Sequence, residues 1–224
     1  MFLSRRRAIA ALVVITAALA IAYGVAFVLK PPRFPYPTYR FTSLSEEGCD
    51  DGLKSSSANG DRITIPNLVH YVWILRDSSE FRLGFKFFVS AYSAHFYWHP
   101  DRIYIHTDAA PEVIERAKNS GTPWTQRVLA LPGLTINRVE TPQTTRRGVR
   151  IEALEHKSDF VRLEALKQFG GVYLDADAMP LRDIADLRNS GFRNVIGQQM
   201  GLAMWLTGYL NNGVMMSVPR SNMM

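Results

Sequence analysis

Residues 170–177 read Gly-Gly-Val-Tyr-Leu-Asp-Ala-Asp: two helix-stopping glycines, three strand-forming residues and two acids. This order predicts a buried strand that follows a helix and ends in carboxylates. Side chains alternate faces along a strand, so Asp175 and Asp177 are expected to point one way and Ala176 the other. Two neighbouring carboxylates repel, and they stay ionised together only with a cation or several donors between them. A hard divalent ion held by oxygens, with positions left for phosphate oxygens, suits that pair. Aspartates after a strand are also common turn residues, so spacing alone leaves both readings open.

The surrounding pattern predicts strands alternating with helices. Residues 65–75 (IPNLVHYVWIL) form an apolar, β-branched and aromatic run that suits a buried first strand. A helix is expected over 81–95, with Phe85, Phe88, Tyr92 and Phe96 at helical spacing as its core stripe. Strands are expected over 102–106 and 134–139, and a Pro-initiated helix over 111–120. Residues 158–169 make a further helix, capped by Ser158, with Asp159 at its positive end. Phe160, Leu163, Leu166 and Phe169 supply its apolar stripe. Short strands follow over 194–197 and 214–218. The alternation indicates an α/β domain with a mostly parallel sheet, and such sheets bind ligands beyond the carboxyl ends of their strands. His70 and His106, in apolar strands, read as hydrogen-bonded core or cleft residues and not as metal ligands.

The part before residue 63 has a different character. Residues 8–29 carry no charge and are rich in Ala, Val, Ile and Leu, and Arg5, Arg6 and Arg7 precede them. At ~1.5 Å per residue this run is long enough for a bilayer core of ~30 Å. The expected organisation is a cytosolic tail over 1–7, a transmembrane signal-anchor over 8–29 and a Pro/Ser-rich stem over 30–62. A cleaved signal peptide is the competing reading, with Ala20-Ile21-Ala22 as its small-residue site. The folded domain then occupies 63–224.

The formal net charge of +6 is concentrated in two short groups, Arg5 to Arg7 and Arg146, Arg147 and Arg150. A nucleic-acid binder would show a longer basic stripe, so no nucleic-acid partner is expected. The second group reads either as a solvated loop or as a rim that attracts an anionic substrate. The single cysteine, Cys49, excludes an intrachain disulfide.

Residues 158–182 (SDFVRLEALKQFGGVYLDADAMPLR) resemble the sugar-donor region of DXD-motif glycosyltransferases. The likeness is to the family 32 group of initiating α-1,6-mannosyltransferases, inositol-phosphoceramide mannosyltransferases and relatives of α-1,4-galactosyltransferases. The matching positions are Asp159, Arg162, Gly170, Gly171, Tyr173, Asp175 and Asp177. Ile65-Pro66 through His70 to Trp73 resembles the opening strand of that family, and Asn212-Gly213-Val214 its later Asn-Gly strand. The resemblance spans roughly residues 65–219. It implies a GT-A-like, Rossmann-type nucleotide-sugar-binding domain behind the transmembrane helix. Family domains continue well past the Asn-Gly strand, and this chain ends at Met224, so a C-terminally truncated domain is expected.

What the resemblance implies about function is transfer of a hexose, with mannose favoured, from GDP-mannose or a UDP-hexose to a glycan or glycolipid acceptor. Retention of anomeric configuration goes with it. Mn²⁺ or Mg²⁺ would offset the charge that develops on the departing diphosphate. Asp177 would be the direct metal ligand, and Asp175 would contact the donor and assist the metal. Donor binding would fall to Asp159, Arg162, Tyr173, Gly171 and Trp73. Glu152 and Glu155 read as a solvated helix face. The implied location is a single-pass type II membrane protein of the Golgi or endoplasmic reticulum. Two other readings compete: an inactive relative that binds a partner protein, and a haloacid-dehalogenase-type phosphatase using the same Asp-x-Asp.

Overall fold

The structure is a computed structural model that describes residues 63–198 and 210–222. The expected tail, anchor and stem, and Cys49, lie outside the described residues. Among the described residues, no helix is long and apolar enough to cross a membrane.

Six strands form one sheet: β1 (Leu68–Val72), β2 (Arg102–Thr107), β3 (Leu134–Arg138), β4 (Gly171–Leu174), β5 (Asn194–Gln198) and β6 (Leu210–Ser217). Their spatial order is β3-β2-β1-β4-β6-β5. β1 to β4 are mutually parallel, whereas β6 runs antiparallel to both β4 and β5. The sheet is therefore mixed. Five helices accompany it among the described residues: α1 (Phe85–Trp98), α2 (Pro111–Ser120), α3 (Pro123–Leu129), α4 (Leu154–Phe169) and α5 (Ala185–Arg188).

Strand pleating divides the sheet residues between two helical layers. Val69, Tyr71, Ile103, Ile105, Val172 and Leu174 join Phe87, Ala91, Ala94 and Trp98 of α1 in the larger core. Val72, Tyr173 and Met215 pack with Val161 and Leu166 of α4 on the other side. Leu166 is fully buried, and truncation of such a residue to Ala costs ~2–5 kcal/mol. β1 has β2 on one side and β4 on the other, so the connections leave it in opposite directions. A crevice opens at such a point beyond the strand ends.

Two expected helix faces are corrected. Phe85, Tyr92 and Phe96 of α1 are 56%, 48% and 56% exposed. Its buried face is Phe87, Ser90, Ala91, Ala94 and Trp98, and the small residues there let the helix lie close on the sheet. On α4 the buried residues are Val161, Arg162, Ala165 and Leu166, while Phe160 and Leu163 are exposed. α4 also starts before Ser158, with Ala153 as its first flanking residue and no side-chain cap. α3 had no counterpart in the sequence reading, although Thr122 caps it through its side chain and Pro123 opens it.

Gly170 and Gly171 both have positive φ, 66° and 99°. A Cβ at Gly171 would come within 2.5 Å of the Leu68 carbonyl oxygen, so only glycine lets β4 sit this close to β1. Between the helical layers lies a polar chain. His70 Nε2 is 2.8 Å from the Gly170 carbonyl, and His70 Nδ1 is 2.9 Å from His106 Nε2. The Asn137 amide is 2.8 Å from His106 Nδ1. Gly170 can only accept, which sets the sense of the chain: Asn137 donates to His106, His106 to His70, and His70 to Gly170. Both rings are neutral in that arrangement.

Candidate functional site

A cleft of about 670 Å³ opens at the carboxyl ends of β1 and β4, against the N-terminal half of α4. Its lining runs from Val72 to Asp77 after β1, with Glu80 and Arg82, and includes Ser158, Asp159, Arg162, Asp175 and Asn212. The volume is within the ~300–1,000 Å³ of small-molecule sites.

Asp175 follows β4 directly and keeps the pleat's alternation, on the same side as Tyr173. The Tyr173 hydroxyl donates to Asp175 Oδ1 at 2.5 Å. Burial pushes the Tyr173 phenol up, and Asp175 reinforces the shift against the opposing effect of Arg162, so the phenol remains a donor. Arg162 Nη1 lies 3.3 Å from Asp175 Oδ1, and Arg162 Nη2 lies 3.2 Å from Asp159 Oδ1. Its guanidinium carbon sits 4.4 Å from the centre of the Tyr173 ring. Arg162 Nη1 also donates to the Asn212 carbonyl at 2.9 Å, and the Asn212 amide donates to Asp159 Oδ1 at 2.9 Å. Arg162 is 7% exposed, and among the described residues its Nε is buried without a hydrogen-bond partner. The Nε is enclosed by protein, so a molecule in the cleft would meet Arg162 through its Nη nitrogens, which hold Asp159, Asp175 and the Asn212 carbonyl.

The strands explain how distant residues meet here. α4 supplies Asp159 and Arg162, one turn apart. β6 runs back along β4, which brings Asn212 and Gly213 beside Asp175. The Asp175 amide donates to the Gly213 carbonyl at 2.8 Å. A Cβ at Gly213 would lie 2.8 Å from Asp175 Oδ2, so a larger residue here would press on that carboxylate.

Asp177 lies beyond the strand, where the alternation argument no longer applies. The strand ends at Leu174, and the Ala178 amide donates to the Asp175 carbonyl at 2.9 Å, closing a turn over 175–178. The turn, not the pleat, sets the direction of Asp177, which is exposed. Trp73 lines the cleft while its ring meets Phe87 edge-on at 5.4 Å. Gly171 is at the opposite end of β4, against Leu68 and His70, so the structure gives it a packing role outside the cleft. Glu152 is exposed, and Glu155 is exposed at the cleft margin. His70 and His106 are buried partners of each other.

Among the described residues, no group of three or more His, Cys, Asp or Glu side chains gathers as a metal cage. The cleft chemistry nonetheless fits a shared cation. Asp77, Glu80, Glu155, Asp159 and Asp175 outnumber Arg76, Arg82 and Arg162 in its lining, with Asp177 on the adjoining turn. A diphosphate entering this acidic surface needs positive charge brought with it. Two hard oxygen donors near the strand end suit Mg²⁺ or Mn²⁺, which take their remaining ligands from phosphate and water.

Sequence reading missed Asn212 as part of this network, although the Asn-Gly pair marked its strand. It also missed the run from Arg76 to Arg82, which lies in a loop with no periodicity to identify it.

A curated relative, Glucan organizing enzyme 1 of Cryptococcus neoformans var. grubii serotype A, is 32% identical over 127 residues. The match covers 55% of this chain and 31% of the relative, so the chain spans less than a third of that protein's length. A solved structure, PaToxG Glycosyltransferase, aligns over 70% of this chain and 56% of its own, at 17% identity and a TM-score of 0.44. The family described as a glycosyltransferase sugar-binding region containing a DXD motif matches residues 74–200. Because that match takes in more than half of the 224 residues, Arg162, Asp175 and Asp177 among them, the chain belongs to this family of glycosyltransferases.

Proposed function

We propose that the chain binds a nucleotide-sugar and transfers its hexose, mannose in the first instance, to an acceptor hydroxyl. In the reaction, the bond from the sugar's anomeric carbon to the diphosphate breaks and a bond to the acceptor oxygen forms. The acceptor gives up its proton, and the nucleoside diphosphate leaves. We take the fold as a GT-A-like domain and the transfer as retaining.

The carrying observation is Arg162, a buried cation held between Asp159 and Asp175 at the head of the cleft. Arg162 holds the donor's sugar or phosphate oxygens through its fork of N–H groups. Asp159 and Asn212 keep that fork aimed, and Asp175 binds the donor's hydroxyls. Asp177 and Asp175 would hold Mn²⁺ or Mg²⁺, which supplies charge for the leaving diphosphate. Trp73 flanks the donor at the cleft wall.

We take the acceptor to be a glycan or glycolipid, and the curated relative, named for organizing glucan, supports trying a glucan among the acceptors. The apolar run 8–29, with Arg5 to Arg7 before it, supports a single-pass type II anchor in the Golgi or endoplasmic reticulum membrane. Retention of the chain in the membrane pellet after an alkaline wash is the expected result.

The test is donor hydrolysis and transfer by the full chain in detergent, with GDP-mannose and UDP-hexoses, with and without Mn²⁺. Mn²⁺-dependent turnover that Asp177→Ala abolishes supports the reading. Donor binding without turnover would favour the inactive relative, and no donor binding at all would sink the assignment.

A further inference from the structure

The turn that carries Asp177 is tied down at both ends. At its start, the Asp175 amide is bonded to Gly213 of β6. At its end, Ser90 of α1 donates from Oγ to the Ala178 carbonyl at 2.6 Å. The Ser90 hydroxyl has one proton, which is committed to that carbonyl. Its contact with the Tyr71 hydroxyl, at 3.0 Å, is therefore one in which Tyr71 donates. Tyr71 and Ser90 are 0% and 2% exposed, so water cannot replace either bond. Burial pushes the Tyr71 phenol well up, which keeps it a donor.

A second side chain of α1 repeats the contact farther along. Trp98 Nε1 donates to the Arg182 carbonyl at 2.8 Å, and Trp98 is 7% exposed. Ser90 and Trp98 are eight residues apart on the helix, a rise of ~12 Å. Ala178 and Arg182 are four residues apart in a segment without helix, whose reach is at most ~14 Å. The segment after the turn is thus fastened to α1 at two points, with Pro180 buried between them.

We infer that Ser90, backed by Tyr71 and aided by Trp98, is a positioning residue that fixes the Asp177 turn for cation and diphosphate binding. This rests on the role given to Asp177 above. Ser90 is not part of the cleft lining and lies on the buried face of α1, behind the turn. Its effect passes through the Ala178 carbonyl: without that bond the half-buried carbonyl loses its anchor on α1, and the turn is free to shift.

The test uses the full chain and a binding readout: bound Mn²⁺ counted by electron paramagnetic resonance, titrated with GDP and in parallel with UDP. Ser90→Ala is expected to weaken Mn²⁺–nucleotide binding about tenfold, as loss of a buried hydrogen bond would. Ser90→Thr, which keeps the hydroxyl, should recover most of it. Trp98→Phe, which keeps the ring bulk but not the N–H, should weaken binding in the same direction, and it serves if Ser90→Ala does not fold. Folded Ser90→Ala protein with wild-type Mn²⁺–nucleotide affinity overturns the inference while leaving the donor site intact. Wild-type protein that binds neither Mn²⁺–GDP nor Mn²⁺–UDP overturns the donor-site reading itself, and this inference with it.

Discussion

Arg162 Nη1 and Asp175 Oδ1 lie 3.3 Å apart at the head of the cleft, and the Tyr173 hydroxyl reaches the same oxygen. One carboxylate oxygen therefore receives a cation and a phenol together. Asp175 is 37% exposed at its side chain, so it meets the cleft from a fixed position without being sealed off.

Removing Arg162 should be worse than replacing it. Arg162→Ala leaves Asp159 and Asp175 facing each other without their cation and opens a void over Tyr173. Loss of one partner from a buried pair costs ~3–5 kcal/mol, and partial exposure of both acids brings the expected value towards the lower end. Arg162→Lys keeps the charge and loses the planar fork. We expect kcat/KM for donor hydrolysis to fall at least ~100-fold in Arg162→Ala and ~10-fold or more in Arg162→Lys. Chemical denaturation beside steady-state kinetics separates the two effects.

A methyl group at Gly213 should damage the site more than the fold. It would press on Asp175 Oδ2 and Asn211 Oδ1, each 2.8 Å from the new carbon. Asp175 can yield only by loosening its bonds to Arg162 and Tyr173. For Gly213→Ala we expect a thermal midpoint within a few degrees of wild type, ~1 kcal/mol, and a loss of kcat/KM of ~10-fold or more. An unchanged kcat/KM would show that Asp175 has slack in the cleft.

The buried histidine pair should make stability fall on acidification. Burial pushes His70 down to about 4, an effect the Gly170 carbonyl partly opposes. Burial pushes His106 down to about 3, with His70 adding to the shift. The unfolded chain takes up protons near pH 6.5, whereas the folded chain resists until well below that. Stability is thus complete above about pH 6.5 and declines as pH drops towards 4, by up to ~1.4 kcal/mol per pH unit for each histidine. Urea unfolding at pH 7, 6 and 5 measures the slope. His106→Gln should reduce it, and a flat profile in the wild type would refute the paired neutral rings.

The sheet and its order of elements were legible because buried strands announce themselves through runs such as Val172-Tyr173-Leu174. Asp159, Arg162 and Asp175 were legible as a group through the family resemblance, and a helix followed by a strand is what brings them together. The helix faces were not. On α4, residues 160 and 163 compete with 161 and 165 for the same period, and the buried stripe contains Arg162, which counts as polar until Asp159 and Asp175 are seen to draw it inward. On α1, the sheet selects alanines and a serine, and hydrophobicity ranks the exposed aromatics above them. For Asp177 the alternation rule had no purchase, because it holds only while the ladder continues, and the ladder stops at Leu174. Nothing in composition could show that Ser90 meets Ala178, since that contact joins segments 88 residues apart.

The antiparallel β6 between β4 and β5 has a consequence for biosynthesis. The cleft takes Asn212 from a strand emerging well after Asp159, 53 residues earlier in the chain, and after Asp175, which Gly213 of the same strand supports. Until then a nascent chain leaves one side of β4 unpaired, an invitation to pairing with other chains. Closure of that side of β4 therefore waits on β6, which reaches it only after β5 has been made.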